Sequence, residues 1–145
     1  MDTKINIQNY LPHREPMLMV DAVVEIGNKK VTTLFEIKPD NIFIENSRLS
    51  GAGLIENIAQ TCSAITGQNL FDDSEHEQNA GSKVIGFITN IKKVTIHDLP
   101  EVGSEIISRA VLKSQFGEIC TIGCETFLGE KILVEAEISL FIKAL

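Results

Sequence analysis

Tryptophan is absent from this chain, and histidine and cysteine occur only three times each. No apolar run approaches the roughly 18 residues that a membrane-spanning helix needs, so neither a helical span nor a membrane partner is expected. The first residues, Met1-Asp2-Thr3-Lys4, lack the basic start and apolar core of a signal peptide, and a cytoplasmic protein is expected. The cysteines, Cys62, Cys120 and Cys124, are odd in number and lack neighbouring metal-ligand residues. Cys120 and Cys124 share strand parity, which puts them on one face but too far apart to bond to each other. All three read as small buried thiols rather than redox or metal groups, and no metal or other cofactor is expected. Positive charge is also scarce: 13 Lys and Arg stand against 20 Asp and Glu, a net charge of −7. That balance argues against nucleic acid as a main partner. An acidic protein partner stays open, because Lys29, Lys30, Lys92, Lys93, Arg109 and Lys113 could form a local basic patch.

What is present suits one soluble domain spanning residues 1–145, with 43% hydrophobic residues and no internal repeat. Two prolines in Leu11-Pro12-His13-Arg14-Glu15-Pro16 forbid regular helix there. Met17 to Ile26 is nearly continuous in apolar character and reads as a buried strand. It turns at Gly27-Asn28-Lys29-Lys30 and returns as Val31 to Ile37. A helix is predicted over roughly residues 52–70, with Leu54, Ile55, Ile58, Ala59, Cys62 and Ile65 at helical spacing. The polar, acidic stretch from Phe71 to Ser82 reads as a loop. The rest is strand: Lys83 to Ile96, Glu105 to Gln115, Glu118 to Phe127 and Lys131 to Ile142, joined by turns. One helix with a meander of long strands is an α+β pattern. The long strand 83–96 would lie at a sheet edge. Such an edge needs cover, and pairing with the same strand of a second copy predicts a two-fold dimer.

The most informative stretch is Ser50-Gly51-Ala52-Gly53-Leu54-Ile55-Glu56-Asn57-Ile58-Ala59-Gln60, which sets an acid about one turn inside an otherwise apolar helix of small residues. Gly51 and Gly53 leave room at the helix start for backbone or ligand. Glu56 has two readings. On a helical wheel it lies with Gln60, Ser63 and Gly67, opposite Leu54, Ile58, Cys62 and Ile65, as a solvated glutamate would. In a dry site it would instead be an acid or base, since burial raises a carboxyl pKa. The preceding stretch, Ile42-Phe43-Ile44-Glu45-Asn46-Ser47-Arg48-Leu49, holds no histidine, cysteine or paired carboxylate that completes a site.

Three stretches in order resemble the bacterial 3-hydroxyacyl-acyl carrier protein dehydratases of the hotdog fold. Leu11 through Asp21 is similar to that family's proline-flanked leading motif, Gly51 through Gln60 to its central-helix motif with Glu56 on the catalytic acid, and Leu99 through Ile106 to its turn into the fourth strand. The resemblance implies a long central helix wrapped by a bent antiparallel sheet. In that family a loop histidine works with the helix acid. Here Ile42 takes its place, followed by Phe43 as in the family. A helix starting in Ala and Gly with no loop histidine resembles the dehydratase-like subgroup of aryl polyene and related type II fatty acid pathways.

The resemblance implies a protein that acts on or binds 3-hydroxyacyl thioesters of acyl carrier protein. Dehydration needs a base for the C2 proton, an acid for the leaving C3 hydroxyl, and donors for the charge on the thioester oxygen. Glu56 would supply the carboxyl. Gly51, Ala52 and Gly53 would offer N–H groups, and Gln60 and Phe43 would help hold the substrate. His13 is the only histidine in a matched motif and reads either as a site residue or as a structural one. His76 reads as solvated, and His97, Arg14 and Asp21 as structural. Lys92 and Lys93 read either as a docking point for an acidic carrier or as a solvated pair. Three readings follow: an active dehydratase, a thioesterase using the helix carboxylate, and a non-catalytic partner of a complete dehydratase.

Overall fold

The computed structural model describes residues 14–73 and 84–144. In chain order the elements are strands β1 (Ala22–Gly27), β2 (Lys30–Glu36), β3 (Ile44–Glu45) and β4 (Arg48–Leu49), helix α1 (Gly51–Asp73), and strands β5 (Val84–Ile96), β6 (Glu105–Phe116), β7 (Ile119–Leu128) and β8 (Lys131–Ala144). Six strands form one antiparallel sheet in the order β1-β2-β6-β7-β8-β5, and β3 and β4 make a separate small hairpin. This is the hotdog arrangement, an α+β fold in which the sheet wraps one helix.

Alternation along the strands decides which face wraps. Ile106, Ser108 and Ala110 on β6, Cys120, Ile122, Cys124 and Thr126 on β7, and Val134, Ala136, Ile138 and Leu140 on β8 are all buried. Each set follows the period of two that sends alternate side chains to one face. Register shifts in β1, β5, β6 and β8 mark bulges. Bulges bend and twist a strand, so the sheet curls instead of lying flat. Every residue from Asn57 to Cys62 is buried. A helix resting on a flat sheet buries only a stripe, so α1 is enclosed from more than one side.

The leading segment supplies the second side, and here the expected strand from Met17 to Ile26 is corrected. The strand begins only at Ala22. Before it, helix side chains capture the backbone of Met17 and Met19. Gln60 Nε2 donates to the Met17 carbonyl at 2.8 Å, and Asn57 Nδ2 donates to the Met19 carbonyl at 2.7 Å. The Met19 N–H donates to Gln60 Oε1 at 2.7 Å. Groups satisfied this way have no need of a strand ladder. The helix also runs past the expected end near residue 70, through Phe71 to Asp73. The remainder of the acidic stretch, including His76, lies outside the described residues.

The hairpin before the helix is tied down separately. Asn46 and Ser47 have φ of 52° and 64°, the pair of left-handed residues that a two-residue hairpin turn requires. Arg48 donates to the Leu99 carbonyl at 2.7 Å and reaches Asp98 and Glu101, and Lys131 also bonds Asp98. Strand β5 is a sheet edge, as the sequence predicts. Its Phe87, Ile88, Ile91, Val94 and Ile96 are all exposed.

Candidate active site

The helix start is built on Ser50. Its hydroxyl accepts the Gly53 N–H at 3.3 Å and its carbonyl accepts the Leu54 N–H at 3.0 Å, which makes it the N-cap. The Ser50 N–H in turn donates to the Phe43 carbonyl at 2.9 Å, and Asn41 Oδ1 accepts the Phe43 N–H at 2.8 Å. The loop that carries Ile42 and Phe43 is thus stitched to the first turn of α1.

This geometry divides the expected N–H donors. Gly53, expected among the donors to a ligand, gives its N–H to Ser50 here. Its lack of a side chain serves packing instead: a Cβ there would stand 2.6 Å from Leu49 Cδ1 and 2.9 Å from Phe43 Cβ. Ala52 is exposed, and the Cβ position of Gly51 lies 3.1 Å from Ile96 Cδ1 on β5. Gly51 and Ala52 donate their N–H groups to no protein acceptor among the described residues. They remain available to an oxyanion.

Glu56 is half-buried, one turn further on. Its Oε2 accepts Gln60 Nε2 at 2.9 Å. Gln60 does not lie on a solvated polar face with it, as the helical wheel suggests, but is fully buried. The wheel cannot register the leading segment that covers that side. Phe43 is half-buried under the helix start, and Ile42 is half exposed in a cleft of about 290 Å³ whose lining includes Leu18, Phe35, Glu36 and Asp40. The lining of that cleft does not include Glu56 or Gly51 to Gly53. His13 lies outside the described residues. Lys92 and Lys93 sit at a bulge of β5, where Lys93 has a φ of 58°, and both ammonium groups lie 3.7 Å from Glu137 on β8.

The other singled-out residues are structural. Asp21 Oδ2 accepts the Glu36 N–H at 2.7 Å, and His97 Nε2 meets Glu135 at 3.0 Å. All three cysteines are free and buried. A hydrogen bond with Cys124, together with burial, pushes the Cys62 thiol well up, and burial pushes Cys120 up. Raised thiols are poor nucleophiles. Among the described residues no cluster of three or more His, Cys, Asp or Glu could hold a metal ion.

A buried polar network was missed from sequence. Ser108 Oγ donates to Asn57 Oδ1 at 2.6 Å and lies 2.7 Å from Thr126 Oγ1. Thr61 donates to the Asn57 carbonyl at 2.9 Å and meets Thr33 at 2.8 Å. The available signal was the phase of Ser108 and Thr126, which fall on the core-facing parity of their strands.

A family model described as ApeP-like, ApeP dehydratase, matches residues 5–144. The chain belongs to the ApeP-like dehydratase family. Related curated proteins are 3-hydroxyacyl-[acyl-carrier-protein] dehydratases FabZ. That of Alkalilimnicola ehrlichii is 26% identical over 144 residues, covering 95% of this chain and 89% of that protein. That of Sinorhizobium medicae is 28% identical over 142 residues, covering 94% and 86%. Among solved structures, the dehydratase heterocomplex ApeI:P from Xenorhabdus doucetiae matches with a TM-score of 0.77 at 20% identity, over 93% of this chain and 89% of that one. At that identity the match establishes the shared fold. In this chain Glu56 is tied through Gln60 to the backbone of the leading segment and stands one turn beyond the N–H groups of Gly51 and Ala52.

Proposed function

We propose that this ApeP-like chain acts on or binds 3-hydroxyacyl thioesters of acyl carrier protein in type II fatty acid or polyene synthesis. The observation that carries this reading is the placement of Glu56 one turn beyond the free N–H groups of Gly51 and Ala52. A carboxylate can remove the C2 proton. The C3–O bond then breaks, and the leaving hydroxide departs as water with the proton that the carboxyl has taken up, giving the 2,3-unsaturated thioester and the carboxylate. The two N–H groups suit the negative charge that gathers on the thioester oxygen during this step. Lys92 and Lys93, against the single carboxylate of Glu137, keep a positive excess suited to an acidic carrier.

Ile42 offers no proton at the position where the resemblance calls for histidine. Loss of one general acid–base group commonly lowers a rate about 10²–10⁴-fold, so low activity is expected of the chain alone. The exposed apolar residues of edge strand β5 support a two-fold dimer through that strand. They equally suit a dehydratase partner that has its own histidine, and the similarity to a dehydratase heterocomplex favours this second reading. Light scattering of the chain alone at micromolar concentration separates the two: a dimer mass supports self-pairing through β5, and a monomer mass supports an edge kept for the dehydratase partner. The functional test is a spectrophotometric hydration assay on an unsaturated acyl-carrier substrate, with wild type and Glu56→Gln, each alone and mixed with a complete dehydratase. Weak activity that disappears in Glu56→Gln is expected. Strong activity that survives the substitution would refute the role of Glu56. Stable binding to the dehydratase with no activity in either protein would establish the partner reading. Thioester hydrolysis without hydration would point to a thioesterase.

A further inference from the structure

Ile96 ends the edge strand at the point where β5 meets the start of α1. Its register partner is Val134, a core residue, so the side chain turns toward the helix and away from the outer face of the sheet. Its Cδ1 stands 3.1 Å from the Cβ position of Gly51, the residue that carries the first unused N–H group. The chain around this contact is held in one frame. The His97 N–H donates to the Leu133 carbonyl at 2.7 Å, the Leu49 N–H to the Pro100 carbonyl at 2.9 Å and the Val102 N–H to the Ser47 carbonyl at 3.0 Å. The end of β5 and the hairpin that leads into the helix therefore keep their spacing. Ile96 is still 42% exposed, so a ligand that reaches the helix start meets its branched apolar side chain.

That contact bears on a choice the site has to make. A thioester whose oxygen rests on two N–H donors is activated at its carbonyl carbon. Water that adds there expels the thiol and leaves a free acid, whereas hydration and dehydration change only C2 and C3. With the oxygen at Gly51 and Ala52 and C2 toward Glu56, the carbonyl carbon lies beside Ile96. We propose that Ile96 is a specificity-determining residue: its apolar side chain keeps water from the carbonyl carbon, so that the bound thioester reacts at C2 and C3 and is not hydrolysed. The inference rests on the reading of the helix start as the thioester site.

Valine and threonine have nearly the same shape and differ by one hydroxyl, which separates water from packing. Wild type, Ile96→Val and Ile96→Thr are each given an unsaturated acyl-carrier substrate, and hydration and release of the carrier thiol are followed in the same sample. The ratio of the two rates does not depend on how much of the protein is folded. Ile96→Val should keep the wild-type ratio of thiol release to hydration. Ile96→Thr should raise it about threefold to tenfold, the rate equivalent of one hydrogen bond to the attacking water. Equal ratios in the two variants would overturn the proposal. Absence of both reactions in all three proteins would overturn it too. A second arm needs no turnover. The Ile96 δ1 methyl is assigned in a ¹³C–¹H correlation spectrum by its loss in Ile96→Val, and the carrier is loaded with an acyl chain through an amide in place of the thioester. The methyl signal and the Gly51 and Ala52 amide signals should shift together. Shifted amides beside an unmoved methyl would remove Ile96 from the site. If none of the three moves, the helix start does not hold the acyl group, and the functional reading fails together with the inference.

Discussion

Leu49 stands directly beneath Gly53, so the first turn of the helix has no room for even one methyl group. An added Cβ would meet Leu49 Cγ at 2.8 Å as well as Leu49 Cδ1 and Phe43 Cβ. In a solvated helix, Gly→Ala stabilises by about 1 kcal/mol. Here overpacking, at about 1–3 kcal/mol, opposes that gain and includes an atom at the base of Phe43 that cannot swing away. Gly53→Ala should therefore destabilise the protein by up to about 2 kcal/mol in a urea titration. Gly51→Ala is the contrast, because it meets only the end of the flexible Ile96 side chain at 3.1 Å. It should be close to neutral. Equal stabilisation by both substitutions would show that the contact beneath Gly53 is not tight.

Asn57 carries the buried polar network between helix and sheet. It donates to the Met19 carbonyl and accepts from Ser108, and all three groups are buried. Asn57→Ala removes both bonds and leaves the Met19 carbonyl dry and unpaired. Ser108 keeps Thr126 as a partner. An orphaned buried polar group costs about 1–3 kcal/mol, and the cavity adds to it, so a loss of about 2–4 kcal/mol is expected from equilibrium denaturation. A loss below about 1 kcal/mol would mean that water or a shift of the leading segment repairs the site.

These two positions also show how far the sequence could be read. The strand alternation, the turns at Gly27, Gly117 and Gly129, and the small-residue helix were all legible, because each is a local pattern. Leu49 beneath Gly53 was not, and Gly53 looked like room for a ligand. Gln60 looked solvent-facing because a helical wheel assumes one wet side, and only the fold brings Met17 and Met19 over it. The same long-range capture hid the irregular backbone before Ala22, whose apolar composition matches a strand. Glu56 was readable as a candidate, but its hydrogen bond to Gln60, and the hold of Gln60 on Met17 and Met19, were not.

Asp98 links stability to pH. Its carboxyl lies below the usual range, first because of the hydrogen bond from Lys131, then through the Leu99 N–H and the charges of Lys131 and Arg48. A lowered folded-state pKa means that the stabilisation is fully present above the unfolded-state value of about 3.9 and is lost as pH falls through the folded value. Asp98→Asn removes that contribution. Melting temperatures of wild type and variant should therefore differ at neutral pH and converge as pH drops below about 3.9. Because the group is exposed, the gap should shrink in high salt. Parallel curves across the acidic range would show that the Lys131–Asp98–Arg48 cluster contributes nothing to folding.

Ile42 is the residue whose replacement bears most directly on activity. It is 50% exposed and borders an open cleft, so a histidine fits there without displacing core. Its neighbours are held independently, Asn41 through the Phe43 N–H and Ser50 through the Phe43 carbonyl, so the loop should keep its shape. If the chain alone is slow because it lacks a second proton-transfer group, Ile42→His should raise its hydration rate by about a hundredfold or more, the low end of what such groups contribute. The gain should follow the titration of an imidazole near pH 6.5. It should vanish in the double variant with Glu56→Gln, because a histidine without the carboxylate restores only half of the pair. A folded Ile42→His protein with unchanged activity would mean that position 42 does not face the reacting atoms, and a gain that persists without Glu56 would move the catalytic carboxylate elsewhere.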